Sequence, residues 1–305
     1  MPTPTCVLIG NFDGVHTGHQ ALLRVARSEA HTIQGETAVL TFDPHPTHVL
    51  SLDRTVPRLL TLERKRELLH HYGADRVVVQ PFDIAFSQKT PREFVQEVIV
   101  PLHAQVLVVG ADFRFGNKRE GTVETLIELG KECGFRVQVI PLHALDNEIV
   151  SSSRIRQALA EGDLEYTTTA LDRPFDFAGL VVTGDQRGRT IGFPTANLET
   201  QTEALPKRGA YAVRVTWREG EDAIHVNGMM NIGTRPTIAQ IHPTQTIEVH
   251  LFDINQDLYG KTLRVQCIER LRDEQRFENS EALNAQLSKD KEEAQRILKD
   301  TNAQS

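Results

Sequence analysis

The chain has 305 residues, 39% hydrophobic and 25% charged, with a formal net charge of -7 from 34 Lys and Arg against 41 Asp and Glu. That length favours two domains over one core, and the composition excludes a disordered or fibrous chain. The acidic balance argues against a nucleic-acid-binding face, and three scattered cysteines (Cys6, Cys133, Cys267) argue against a zinc or disulfide framework.

Met1 to Thr5 lack the basic start and long apolar core of a signal peptide, and no apolar run reaches the length of a membrane span. A cytoplasmic protein with no membrane partner is expected, a monomer or weak homo-oligomer. Cys6-Val7-Leu8-Ile9 reads as a buried strand and hands over to Gly10-Asn11-Phe12-Asp13-Gly14-Val15-His16-Thr17-Gly18-His19 at the start of a helix, Gln20 to Ala30. A helix N-terminus presents unsatisfied N–H groups and partial positive charge, a seat for phosphate. Gly18 has no Cβ to obstruct such a ligand. The alternatives are plain helix capping, which the turn alone fits equally well, and a fragment of a metal site, which lacks a convincing third ligand, His45 and His48 being the nearest candidates.

Further β-branched runs follow at Val39–Phe42, Arg76–Val79 and Val106–Val109, separated by helical patterns at Leu62–Tyr72, Arg92–Val98 and Thr122–Cys133. All-apolar strands alternating with helices predict an α/β domain, a Rossmann-like parallel sheet whose ligands sit beyond the carboxyl ends of its strands. The opening decapeptide and Gly110-Ala111-Asp112-Phe113-Arg114-Phe115-Gly116 both lie at such ends. Ser151-Ser152-Ser153 then precedes a helical pattern, Arg154 to Ala160, closed by Gly162. The serines suit capping, and Arg154 and Arg156 put cations on a first turn that normally favours acids. Two arginines there fit an anion from outside the chain.

After Asp172-Arg173-Pro174 the texture changes to short strands and glycine turns through Glu269, predicting an antiparallel β-barrel closed by a helix from about Ser280. Domains of 1–172 and 173–305 follow. Gly184 to Leu198 carries three glycines in nine residues (Gly184, Gly188, Gly192) and then Phe193-Pro194-Thr195-Ala196-Asn197. In an extended backbone Thr195 and Asn197 project to one side, where their oxygens suit Mg²⁺ and phosphate. In Thr246 to Asp253 the alternation sends Ile247, Val249 and Leu251 to the core and Glu248, His250 and Phe252 to an open face.

The H-x-G-H turn with the later Ser-Arg loop resembles the nucleotidylyltransferase superfamily, whose members attack the α-phosphate of ATP and expel pyrophosphate. The resemblance implies that His16 and His19 hold the phosphates and that Arg154 and Arg156 neutralise the departing pyrophosphate. Gly10, Asn11, Phe12, Asp13, Gly14, Ser152 and Ser153 complete the implied ATP site. Gly10 to His16, Thr41-Phe42-Asp43-Pro44-His45-Pro46, and Asp112-Phe113-Arg114-Phe115-Gly116 with Gly121 look like the adenylyltransferase module of bacterial FAD synthetases. Phe42, Pro44 and Pro46 would then pack the isoalloxazine ring, with Asp112, Phe113 and Phe115 beside it. Serine stands at 153 where that family usually has threonine; the hydroxyl is kept.

Gly192 to Asn197, Asn231-Ile232-Gly233-Thr234-Arg235-Pro236-Thr237, Glu248-Val249-His250 and Asp257-Leu258-Tyr259-Gly260 resemble the riboflavin kinase module. Leu271-Arg272-Asp273-Glu274-Gln275-Arg276-Phe277 through Asp290 resembles its closing helix. There Thr195 and Asn197 would bind Mg-ATP with Gly184, Arg189, Gly192, Phe193 and Pro194. Glu248 would take the proton from the ribityl 5′-hydroxyl, beside Arg276 and Phe277. Asp185 usually follows a histidine in relatives; here Thr183-Gly184 precedes it. As a whole the chain resembles the bifunctional bacterial riboflavin kinase/FMN adenylyltransferases, which implies riboflavin, FMN, FAD and ATP as ligands. Two rivals stand beside it: an adenylyltransferase for another acceptor, such as a pyridine mononucleotide or phosphopantetheine, and a non-catalytic flavin-binding regulator. The first leaves the second domain without a task, and the second should have lost a catalytic residue.

Overall fold

A computed structural model describes residues 3–51, 56–145, 148–184, 192–235, 244–254 and 256–300. It divides into two compact units, Met1–Arg154 and Ile155–Ser305. The first runs β1 (Thr5–Ile9), α1 (Thr17–Thr32), β2 (Glu36–Asp43), α2 (Pro46–Leu50), α3 (Leu62–His71), β3 (Arg76–Pro81), α4 (Ile84–Ser87), α5 (Pro91–Phe94), β4 (Ala104–Gly110), α6 (Val123–Cys133), β5 (Arg136–Ile140), β6 (Ala144–Leu145) and β7 (Glu148–Ile149).

Five parallel strands form one sheet in the order β3-β2-β1-β4-β5. The order reverses direction between β1 and β4, the switch point where ligands bind in open α/β sheets. All five residues of β1 are buried, as expected of a strand covered on both faces. Val7, Ile9, Leu40, Leu107 and Val109 pack with Leu126, Phe94 and Phe115 into one core. The predicted helix over Arg92–Val98 is more irregular than its pattern suggested. Thr90 and Glu93 make a reciprocal capping box, but α5 opens into a π-turn at Val95–Ile99 before Pro101 ends it.

The second unit begins within α7 (Ser152–Glu161) and continues through α8 (Leu164–Leu171), a helix the sequence reading did not separate. Asp163 caps α8 and Asp172 ends it with φ of 55°. Then come β8 (Phe175–Val182), β9 (Ala196–Thr200), β10 (Gly209–Glu219), β11 (Asp222–Arg235), β12 (Thr244–Leu251), β13 (Thr262–Asp273) and α9 (Ser280–Asp300). The strands close into a barrel in the order β10-β11-β12-β9-β8-β13, every pairing antiparallel. Tyr211, Val213, Val215, Val249, Leu263 and Val265 are fully buried in it. Thus the α/β sheet and the antiparallel barrel with its closing helix are as the patterning predicts.

α9 lies on the barrel through Ala294, Ile297 and Leu298, which meet Ala212, Met229 and Phe252. Arg272 fastens it with Nε and Nη2 donating to the buried Asp290 carboxylate at 3.0 and 2.7 Å, while Gln286 donates at 2.8 Å. This corrects one expectation. His250 and Phe252, expected on the open face of β12, are covered by Phe193 and α9, leaving His250 7% exposed, while Glu248 on the same face is half-buried.

Candidate functional site

β1 ends at Ile9 and the chain turns sharply before α1. Phe12 and Val15 take positive φ (48° and 43°), a conformation that costs each of them energy and that persists because both are wholly buried. His16 occupies the N-cap position of α1 without making a side-chain cap bond. Its ring stacks on that of His19, centroids 3.7 Å apart, and Phe12 meets His19 edge-on at 5.1 Å. Gly18 is what permits this, since a Cβ there would stand 3.1 Å from the His16 ring. The glycine thus also leaves room for the imidazole. Burial first, then the charges of His16 and Lys65, hold the His19 pKa well below the ordinary histidine value. Two stacked imidazoles at a helix N-terminus can therefore donate to phosphate oxygens while at least His19 stays neutral.

Asp13 has a second task in the same turn. Its buried carboxylate accepts from Leu59 N–H at 3.1 Å and from Leu60 N–H at 3.3 Å, tying the approach to α3 onto the turn. Ser152 Oγ donates to the Asp13 carbonyl at 2.7 Å, and Ser151 Oγ accepts from Arg154 N–H. The expected capping by this serine run thus falls to Ser151; Ser152 clamps the phosphate turn, and Ser153 is exposed. Arg154 already has a carboxylate near it, Glu148 at 3.5 Å. Arg156 lies past the division, in the second unit.

Of the flavin-wall residues, Phe42 joins an aromatic run that the sequence reading left out. Its ring lies 5.9 Å from Phe82 and 6.0 Å from Phe86, and Phe86 leads on to Phe94, Phe115 and Phe113. The spacing of Phe82 and Phe86 was the available signal. Pro44 is exposed after a cis Asp43–Pro44 bond, and Pro46 opens α2, whose N-cap His45 accepts from Thr47 N–H. Asp112 is exposed while Phe115 is buried against Gly121.

In the barrel, Asn197 on β9 stands directly opposite Glu248 on β12, and Ala196 opposite Val249. Side chains paired so share a face, so the amide and the carboxylate are neighbours. Thr195 immediately precedes β9, and both it and Asn197 are half-buried. His250 Nδ1 lies 2.8 Å from the Pro194 carbonyl. A carbonyl only accepts, so the proton is on Nδ1, and the imidazole anchors the segment that presents Thr195. Burial pushes the His250 pKa down, partly offset by this bond. At Gly184 a Cβ would fall 2.1 Å from Asn197 Nδ2, so a side chain there would displace the Asn197 amide. Gly192 and Pro194 are exposed and Phe193 packs edge-on against His250. Arg189 lies outside the described residues. Arg276 is exposed, and Phe277 sits 5.8 Å beneath the Arg272 guanidinium.

Among the described residues no cluster of three or more His, Cys, Asp or Glu could hold a metal, and no helix is long and apolar enough to cross a membrane. A family model described as FAD synthetase matches residues 1–154, and one described as riboflavin kinase matches residues 171–298. The bifunctional riboflavin kinase/FMN adenylyltransferase of Escherichia coli K12 is 40% identical over 291 residues, spanning 95% of this chain and 91% of that protein. Its counterpart from Bacillus subtilis 168 is 39% identical over 294 residues, 95% of this chain and 91% of that one. A crystal structure from Streptococcus pneumoniae, described as a macrolide-efflux protein, superposes with a TM-score of 0.87 at 31% identity, covering 97% of this chain and 95% of that one.

Proposed function

The chain belongs to the bifunctional riboflavin kinase/FMN adenylyltransferase family, and on that premise we propose which of its residues carry each reaction. It phosphorylates riboflavin to FMN and adenylylates FMN to FAD, with ATP as the second substrate of both steps. The reading that places these in separate sites is supported by one observation: each compact unit holds a constellation suited to one of them.

Adenylyl transfer is assigned to residues 1–172. His16 and His19 donate to the ATP phosphates from the N-terminus of α1, with Gly10, Asn11, Phe12, Asp13, Gly14, Ser152 and Ser153 shaping the turn. Arg154 and Arg156 balance the charge of the departing pyrophosphate, and Phe42, Pro44, Pro46, Asp112, Phe113 and Phe115 take the flavin. Phosphorylation is assigned to residues 173–305; the kinase match begins at 171, whereas the compact units divide after Arg154. Glu248 orients the ribityl hydroxyl and accepts its proton as the γ-phosphate is attacked. Gly184, Arg189, Gly192, Phe193 and Pro194 surround the nucleotide, and Arg276 and Phe277 flank the flavin. Thr195 and Asn197 supply two hard oxygens, a donor set that fits Mg²⁺ shared with nucleotide phosphates; the ion would neutralise charge on the transferred group. A cytoplasmic enzyme with small-molecule partners accords with the scattered cysteines and with the flavin and ATP substrates of the family.

Chromatography of riboflavin, ATP and Mg²⁺ incubated with the protein tests this. His16→Ala or His19→Ala should stop FAD formation and spare FMN formation. Glu248→Ala should stop FMN formation while supplied FMN is still converted to FAD. Should either substitution abolish both steps from their own substrates, the two-site assignment is wrong.

A further inference from the structure

Lys65 is 5% exposed, on the second turn of α3, although a lysine is among the residues least often buried without a partner. Its ammonium carries three donors, and its hydrogen bond is one long contact from Nζ to Thr41 Oγ1 at 3.4 Å. No described carboxylate stands within ion-pair reach of it. Thr41 passes its own proton to the Asn11 carbonyl at 3.2 Å. Lys65 is thereby linked to both halves of the adenylyl-transfer site, to the Gly10–Gly14 turn through Asn11 and to the Phe42–Pro46 segment through Thr41. The side chains of His19 and Thr17 add two buried atoms, Nδ1 and Oγ1, with no hydrogen-bond partner among the described residues. A buried cation with spare donors is costly to keep unless an anion arrives.

We infer that Lys65 contacts a phosphate oxygen during adenylyl transfer, where the phosphate of the flavin mononucleotide meets the ATP chain. The inference rests on placing that reaction in the first unit. In the step, an FMN phosphate oxygen forms a bond to the ATP α-phosphorus, the bond from that phosphorus to the bridging oxygen breaks, and pyrophosphate leaves with the electron pair. Lys65 keeps its proton throughout and lowers the cost of bringing anions together. The charged groups that act on it are Asp13 from the turn after β1, Asp43 from the end of β2, Arg58 ahead of α3 and, on α1, His19. Burial pushes the Lys65 pKa down against the pull of the two carboxylates, which brings its deprotonation closer to the working range.

The test uses the full chain with FMN, ATP and Mg²⁺, and riboflavin phosphorylation by the second unit as the control for intact protein. Lys65→Met should lower kcat/KM for FAD formation by about tenfold to a hundredfold, the loss of one charge-assisted contact, and leave phosphorylation unchanged. If the contact is to the flavin phosphate, KM for FMN rises alone; if it is to ATP, KM for ATP rises and inhibition by added pyrophosphate weakens. Lys65→Arg should restore part of the rate and move the alkaline limb of the FAD-forming pH profile upward. Wild-type kinetics in Lys65→Met overturn the inference. Should Lys65→Met fail to fold, wild-type kinetics for FAD formation in Lys65→Gln overturn it equally. A wild-type protein that makes FMN but no FAD would instead sink the placement of adenylyl transfer.

Discussion

Replacing Asp13 should loosen the phosphate turn by an amount the structure sets. Its two oxygens share the Leu59 N–H at 3.1 Å and one also takes Leu60 N–H at 3.3 Å, so two backbone donors depend on it. Leu59 and Leu60 are 1% and 4% exposed, so water cannot take over either bond. Asp13→Ala orphans both, at about 1–3 kcal/mol each, for a total of about 4 kcal/mol. Asp13→Asn keeps an acceptor at Oδ1 for both N–H groups but turns an amide donor toward the Leu59 N–H that Oδ2 shared, costing about 2 kcal/mol. Hydrogen exchange at the Leu59 and Leu60 amides reads this directly. Protection should fall about thirtyfold in Asp13→Asn and several hundredfold in Asp13→Ala, with barrel amides such as Val213 unmoved. Because the same turn carries His16, FAD formation should fall with it while riboflavin phosphorylation persists. Unchanged exchange at Leu59 and Leu60 in Asp13→Ala would refute the clamp.

Three further outcomes follow from named contacts. Gly184→Ala drives a methyl into the Asn197 amide, 2.1 Å away, and should cut riboflavin phosphorylation by tenfold or more with FAD formation from FMN intact; normal phosphorylation would show that Asn197 does not matter there. His19 is held neutral in the fold, so the unfolded chain binds a proton below pH 6.5 that the native chain refuses. Its stabilisation is complete above pH 6.5 and is lost on acidification toward the folded pKa, at up to about 1.4 kcal/mol per pH unit. Urea midpoints between pH 7 and 5 should flatten in His19→Gln, and parallel slopes would contradict this. Asp290→Asn breaks the buried pair with Arg272 and should destabilise the α9 contact by about 3 kcal/mol, seen as faster exchange along α9.

The first unit was legible because parallel strands buried on both faces carry a one-dimensional signal. Cys6-Val7-Leu8-Ile9 and Val106-Leu107-Val108-Val109 can be little else when helical patterns separate them. The His16–His19 turn, Thr195 with Asn197, and Glu248 were likewise readable as motifs, but that Asn197 lies opposite Glu248 was not. The irregular stretch at Val95–Ile99 was not, because a π-turn keeps the apolar spacing of a helix while changing its hydrogen bonds. Nor was the burial of His250, since alternation along β12 says which side chains share a face but not what covers it.

What the sequence by itself determined is the alternation of strands and helices in the first half, the change of texture near Asp172 and the chemical types at the strand ends it identified. All of these depend on neighbours in the chain. Which groups face one another was decided only by the tertiary structure. Lys65 reads as one more charged residue on an amphipathic helix, and only packing against Thr41, with Asn11 beyond it, makes it a buried cation. Asp13 reads as one member of the motif that implies an ATP site, and only the fold shows its carboxylate holding Leu59 and Leu60, 46 and 47 residues away. The physical reason is that burial and hydrogen-bond satisfaction are properties of a site's whole surroundings, which residues distant in the chain supply.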